Sequence, residues 1–212
     1  MINATNSSQK TNSSQKRELI PSGNYIARCY SMIHIGTVTE EIMGEKKTLN
    51  KCRITWELPT ELRVFIEDKG EQPMVISKEY TLSMHEKANL RRDLESWRGK
   101  SFTDEQAAKF DITKLLGVAC MLNIIHKTTK SGNDFATISN ISTLPKGFNC
   151  PDQVNANFEF NFEDKYSDEV LESFPDFIKD KIKSSEEYRK LKTDIVDMPG
   201  EEETTEETGL PF

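Results

Sequence analysis

No apolar run in this sequence approaches the roughly 20 residues that a membrane-spanning helix needs, and its first residues lack the basic-then-apolar layout of a secretory signal. The expectation is a soluble, cytoplasmic protein. No CxxC pair occurs among the four cysteines, Cys29, Cys52, Cys120 and Cys150, which argues against a zinc knuckle, and Cys29, Cys52 and Cys120 sit in strand-like apolar runs that read as buried, reduced thiols. The three histidines, His34, His85 and His126, fall in separate stretches, and no HExxH, GxSxG or GxxxxGK[ST] motif is present. The acidic residues are scattered too widely to assemble a two-metal site from spacing alone. Neither catalysis nor a metal or cofactor is therefore read from the chain. Basic residues are absent from Thr193 onward, and that absence organises what remains.

The net charge of −7 argues at first against a polyanion ligand. Residues 1–147, however, hold 21 Lys and Arg against 17 Asp and Glu, whereas residues 148–212 hold 7 against 18. A mildly basic domain is joined to a strongly acidic extension. The N-terminal arm, residues 1–19, contains the duplicated hexapeptide TNSSQK from Thr5 to Lys16. It is too polar to bury a core and is expected to be disordered.

Residues 20–147 read as one domain. Between Tyr25 and Ile35 the side chains alternate, with Tyr25, Ala27, Cys29, Ile33 and Ile35 on one face and Arg28, Tyr30, Met32 and His34 on the other. In LNKCRITWEL, Cys52, Ile54, Trp56 and Leu58 share one phase and Lys51, Arg53, Thr55 and Glu57 the other. MVISKEYTL makes a third strand whose inward face the pattern leaves open. Ser83-x-x-Glu86 reads as a capping box opening a helix with Leu90, Leu94 and Trp97 at helical spacing, ending at Gly99. Thr103-x-x-Gln106 opens a second, and DITKLLG one more turn. The strands VACMLNIIHK and DFATISNIS follow, joined by a tight turn at Ser-Gly-Asn. Three strands, a helical connection and two strands is the order of the five-stranded OB-fold barrel, all-β with helical additions.

Residues 148–192 read as a partly helical extension. Phe158, Phe160 and Phe162 alternate there, as an added edge strand or as packing on the barrel. Pro175 interrupts the helical periodicity, and Ser184-x-x-Glu187 is a further capping box. Residues 193–212 read as a disordered acidic tail, with five glutamates before Thr-Gly-Leu-Pro-Phe.

Binders of single strands combine a basic groove with aromatic faces for stacking bases. Arg28, Tyr30, Lys51, Arg53, Lys78 and Tyr80 supply that mixture on the first three strands, and Lys127, Lys130 and Phe135 supply it around the last hairpin. Trp56 and Trp97 have the phase of core residues. Arg91, Arg92 and Arg98 are weaker candidates on the first helix.

The stretches ARCYSMIHIGT, ITWELP, EYTLSMHEKANLRRDLESWRGKSFT and FDITKLLG resemble the phage-encoded single-stranded DNA-binding replication proteins of the OB-fold, over roughly Pro21 to Gly147. The C-terminus is similar to that of bacterial single-stranded DNA-binding proteins, whose acidic tail ends in Pro-Phe and docks replication and repair enzymes. Pro211 and Phe212 match that ending, with Leu210 before them. Thr208-Gly209-Leu210 departs from it where that family places acidic residues. The resemblance implies a non-enzymatic protein that protects single-stranded DNA during phage replication, recombination or repair, in the host cytoplasm. Leu210, Pro211 and Phe212 would recruit a polymerase, primase, helicase or nuclease. The acidic tail is expected to compete with DNA for the basic groove. The rival reading is an adaptor or acidic inhibitor on the same scaffold, without nucleic-acid binding. A nuclease ranks third.

Overall fold

The computed structural model describes residues 19–65 and 67–196. Strands β1 (Gly23–Ile42) and β2 (Glu45–Val64) form a long antiparallel hairpin, β3 (Glu71–Thr81) pairs with β2, and β4 (Ala119–Thr128) pairs with β1 and with β5 (Asp134–Ser142). Helices α1 (Asn89–Arg98) and α2 (Asp104–Ala108) and a 3-10 turn at Ile112–Leu115 lie between β3 and β4. The extension adds β6 (Phe158–Phe160), parallel to β1, then α3 (Asp168–Glu172), α4 (Asp176–Lys183) and α5 (Glu186–Val196).

The sheet runs β3-β2-β1-β4-β5, with β6 beside β1. Among the described residues no ladder joins β3 to β5, so the expected closed five-stranded barrel is instead an open, six-stranded sheet. Side chains take over where hydrogen bonds stop. Helix α1 packs on both edge strands, and Leu90, Leu94 and Trp97 share one core with Met74, Ile76 and Tyr80 of β3 and Ile138 and Ile141 of β5. Trp56 is fully buried with its ring 5.8 Å from that of Trp97, whose indole N–H donates to the Ala119 carbonyl at 3.0 Å. Both tryptophans are structural, as their phase predicts.

The alternation expected through Ile35 breaks inside β1. Register shifts at Cys29/Ser31 and His34/Gly36 insert extra residues, which bends the strand and reverses which side chains face inward. Met32 thus joins the first core, while Ile33 and Ile35 join a second. The bend also divides the partners of β1: Gly23–Arg28 pair with β4, and Ser31–Ile33 with β6.

The second core gathers Ile33, Ile35 and Val38 with Phe160, Leu171, Phe174, Ile178 and Ile182. Burying each large side chain contributes roughly 1.5–3 kcal/mol, so the extension is an integral layer. Ile178 and Ile182 stand one turn apart and are 6% and 0% exposed, which fixes the inward face of α4. Pro175 breaks α3 from α4 as its position predicts and precedes the first turn of α4.

Two of the expected capping boxes do not form. Helix α1 starts only after Ala88, without a side-chain cap, because the Ser83 hydroxyl accepts the His85 N–H in the preceding turn. At α5 it is Ser185 whose hydroxyl accepts from Tyr188 N, while the Glu187 carboxylate bonds Thr37. The box at Thr103 and Gln106 is formed as read. Helix α5 runs through Val196, past the expected boundary at 192. No helix among the described residues is long and apolar enough to cross a membrane. The expected disorder of the arm before residue 19 and of the tail after 196 falls outside the described residues.

Candidate nucleic-acid interface

In an antiparallel pair, residues in register share a face, so the ladders determine which side chains lie together. Arg28, Glu57 and Val75 form one row across β1, β2 and β3; Ser31, Thr55 and Ser77 the next; Ile33, Arg53 and Glu79 a third. This is the outer face, away from the first core. Lys51 follows one step along β2.

The ladders correct one grouping. Lys78 and Tyr80 lie on the inward phase of β3 with Met74 and Ile76, not beside Lys51 and Arg53. Tyr80 is 3% exposed and offers no face for stacking. Its hydroxyl donates to Asp93 Oδ2 at 3.0 Å, and the same oxygen accepts from Lys78 Nζ at 2.6 Å. Burial, and then the Asp93 charge, push the Tyr80 hydroxyl far up. These three residues bind α1 to β3.

Arg28 is also internally engaged. Its guanidinium donates to the carbonyls of Gly117 at 2.7 Å, Pro151 at 2.9 Å and Cys150 at 3.4 Å. It clamps the segment leading to β6 onto the sheet. In the same row the buried Glu57 carboxylate accepts from the backbone of Val154 and Asn155. Tyr30, at the first bulge, is half-buried. Burial pushes its hydroxyl up, Glu57 adds to that, and Arg53 opposes it.

Lys51 and Arg53 stand in an ion cluster that includes α4. Lys51 Nζ bonds both Glu40 oxygens at 2.7 Å and lies 3.5 Å from Glu79. Arg53 reaches Glu79 at 3.3 Å, and Lys181 reaches it at 2.7 Å and Glu40 at 3.7 Å. Burial works to raise the Glu79 carboxyl, but Lys181, Lys51 and Arg53 outweigh it and hold the group below its usual range. The Arg53 guanidinium also lies 5.3 Å from the centre of the Phe177 ring.

Lys127, Lys130 and Phe135 are all exposed at the β4–β5 hairpin, with Lys127 and Phe135 directly in register. Its loop is drawn tight by Thr129 and Asn133, whose backbone groups bond at 2.9 Å, and Gly132 takes the positive φ of 84° that the turn requires. This group lies where the sequence pattern places it, at the hairpin joining the last two strands of the expected domain. Of the weaker candidates, Arg91 is buried among Glu95, Asp104 and two carbonyls, and Arg98 lies 3.9 Å over the Phe102 ring. Both join α1 to the segment that follows it. Arg92 remains largely exposed.

Sequence reasoning missed Phe177, Lys181, Glu40 and Glu79. The helical period carried a signal for the first two: with Ile178 and Ile182 inward, Phe177 and Lys181 fall together on the adjoining face. Each histidine has a protein partner: His34 bonds Asn50, His126 the Ile20 carbonyl, and His85 accepts the Lys87 N–H. Among the described residues no group of three or more His, Cys, Asp and Glu could hold a metal ion. A cleft of about 580 Å³ between β1, α2 and β6 has an apolar floor including Met32, Leu90 and Phe110. Its lining also carries Asp111, Glu159, Glu163 and Glu187, which disfavour a polyanion there. Leu210, Pro211 and Phe212 lie outside the described residues. No family model, curated protein or solved structure matches the chain.

Proposed function

We propose that this chain binds single-stranded DNA without sequence preference and recruits replication or recombination enzymes through Leu210, Pro211 and Phe212. On this reading the open sheet is an incompletely closed barrel of the OB type, with α1 filling the gap between β3 and β5. The order β3-β2-β1-β4-β5, with α1 inserted between β3 and β4, supports that assignment. One observation carries the functional reading: Phe135 is exposed in register with Lys127, beside Lys130, at a hairpin that flanks the ligand groove in this architecture. An aromatic face for a base and cations for its phosphates stand together there, without ion partners among the described residues. A phage replication setting rests on the sequence resemblance alone.

Fluorescence anisotropy of a labelled oligonucleotide, with a duplex control and several salt concentrations, tests the reading. The expected result is salt-sensitive binding that favours the single strand. Phe135→Ala weakens it by about 1–3 kcal/mol, and removing Lys127 and Lys130 lowers the slope of log affinity against log salt by about 0.7 per lost phosphate contact. Deleting residues 197–212 tightens binding if the acidic tail competes with DNA, and unchanged affinity refutes that competition. The adaptor reading draws on the internal engagement of Arg28, Lys51 and Lys78. It prevails if neither the full nor the truncated chain binds.

A further inference from the structure

We infer that helix α4 supplies part of the nucleotide-binding surface, with Phe177 stacking a base and Lys181 contacting a phosphate above Arg53. The inference rests on the single-stranded DNA reading above and extends it to residues of the acidic extension.

The argument begins with an aromatic side chain left uncovered. Phe177 is 54% exposed although its neighbour Ile178 is 6% exposed in the second core. The core therefore anchors α4 and sets Phe177 at its edge, over the sheet. Beneath it, the Arg53 guanidinium rises from β2 to 5.3 Å from the ring centre, which steadies the ring by a cation–π contact. One helical turn on, Lys181 lies on the same side of α4, with its side chain 37% exposed.

Charge complementarity identifies the ligand. Lys51, Arg53 and Lys181 converge on the carboxylates of Glu79 and Glu40. Three cations face two anions, so the cluster keeps a positive charge. The carboxylates hold the cations in a fixed array, and a backbone phosphate offers the same kind of oxygen acceptor to the exposed side of Lys181. A nucleotide satisfies both halves of this site: its base lies on Phe177 and its phosphate meets the cations. An acidic peptide without an aromatic side chain would satisfy only the second. Because α4 is fixed by Ile178 and Ile182 before any ligand arrives, binding need not order it.

The test compares the full chain with Phe177→Ala, Phe177→Leu, Phe177→Trp and Lys181→Ala, using a labelled oligothymidine in anisotropy titrations. Phe177→Ala is expected to lose about tenfold in affinity with the salt slope unchanged, and Phe177→Leu to remain equally weak. Phe177→Trp is expected to restore affinity and to show indole quenching on binding, over an emission from Trp56 and Trp97 that stays constant because both are buried out of reach of the strand. Lys181→Ala is expected to lower the salt slope by about 0.7. If the parent protein binds and the Phe177 and Lys181 variants bind as well as it does, the inference is overturned while the function stands. If Leu restores binding as well as Trp, Phe177 acts by packing and the inference is equally overturned. If the parent protein does not bind, both fall together.

Discussion

Replacing Glu57 with Gln changes one atom of a fully buried side chain, and the structure sets the cost. Oε1 accepts from Val154 N at 2.9 Å; Oε2 accepts from Asn155 N at 2.8 Å and from Asn155 Nδ2 at 2.7 Å. Every partner is a donor, so no orientation of an amide satisfies all three. The best one keeps the oxygen toward Asn155 and turns the NH2 group toward the Val154 N–H, leaving two donors opposed. An unsatisfied buried donor costs about 1–3 kcal/mol, and the two surviving bonds lose their charge assistance, for a total of about 3 kcal/mol. In a chain of this size that corresponds to a fall in Tm of about 6–12 °C. Thermal unfolding followed by circular dichroism reads the total. Amide exchange at Val154 and Asn155 reads the place, because the lost bonds hold the segment that Arg28 also clamps through Cys150 and Pro151. A Tm shift under about 2 °C, with unchanged exchange at both amides, refutes the assignment of Glu57 as the latch of the extension.

Gly36→Ala is expected to cost about 2–4 kcal/mol by thermal unfolding, because φ is +92° and an added Cβ would sit 2.6 Å from Glu187 Oε2 and 2.8 Å from Ser185 Cβ. Acid should loosen α4 and α5. Burial works to raise Glu187, but bonds from Thr37 N and Oγ1 outweigh it, and Glu79 is likewise held below its ordinary 4.5 by its cations. The unfolded chain therefore binds these protons more readily, so this stability is complete above about pH 5 and is lost as pH falls through the folded pKa values; Glu79→Gln and Glu187→Gln should each flatten the loss in pH-dependent melts. Burial pushes the Cys29 and Cys52 thiols up to about 12 and Cys120 well above its usual value, so a thiol reagent at pH 8 should leave these three unmodified until denaturant exposes all four cysteines. Rapid labelling of Cys120 in the native protein would contradict its placement in the core.

Period-2 alternation was enough to identify β2, with Cys52, Ile54, Trp56 and Leu58 inward, and period 3.6 identified α1 through Leu90, Leu94 and Trp97. Both patterns are legible because an apolar residue at each of these positions has one core to enter. Turn chemistry likewise marked the β4–β5 hairpin, and with it Lys127, Lys130 and Phe135. The bulges of β1 escaped notice because an inserted residue reverses the facing of Ile33 and Ile35 without altering their composition. The inward face of β3 stayed open for a related reason: Lys78 and Tyr80 share a phase with Met74 and Ile76, and only the approach of Asp93 on α1 makes a buried tyrosine and a half-buried lysine affordable there.

The amino-acid sequence by itself determined the elements whose signals are local: the strands, the first helices, the break at Pro175 and the charge division near residue 148. Only the tertiary structure decided which cations remain free, since an exposed-looking Arg or Lys is claimed by whatever carboxylate or carbonyl the fold brings to it. Arg28 is bound by carbonyls from Gly117 and from the segment at 150–151, and Lys51 and Arg53 meet Glu79 from another strand, a carboxylate that Lys181 of the extension also reaches. Such partners lie tens of residues apart, and no periodicity records them, because an ion pair depends on distance in space and a sequence pattern only on distance along the chain.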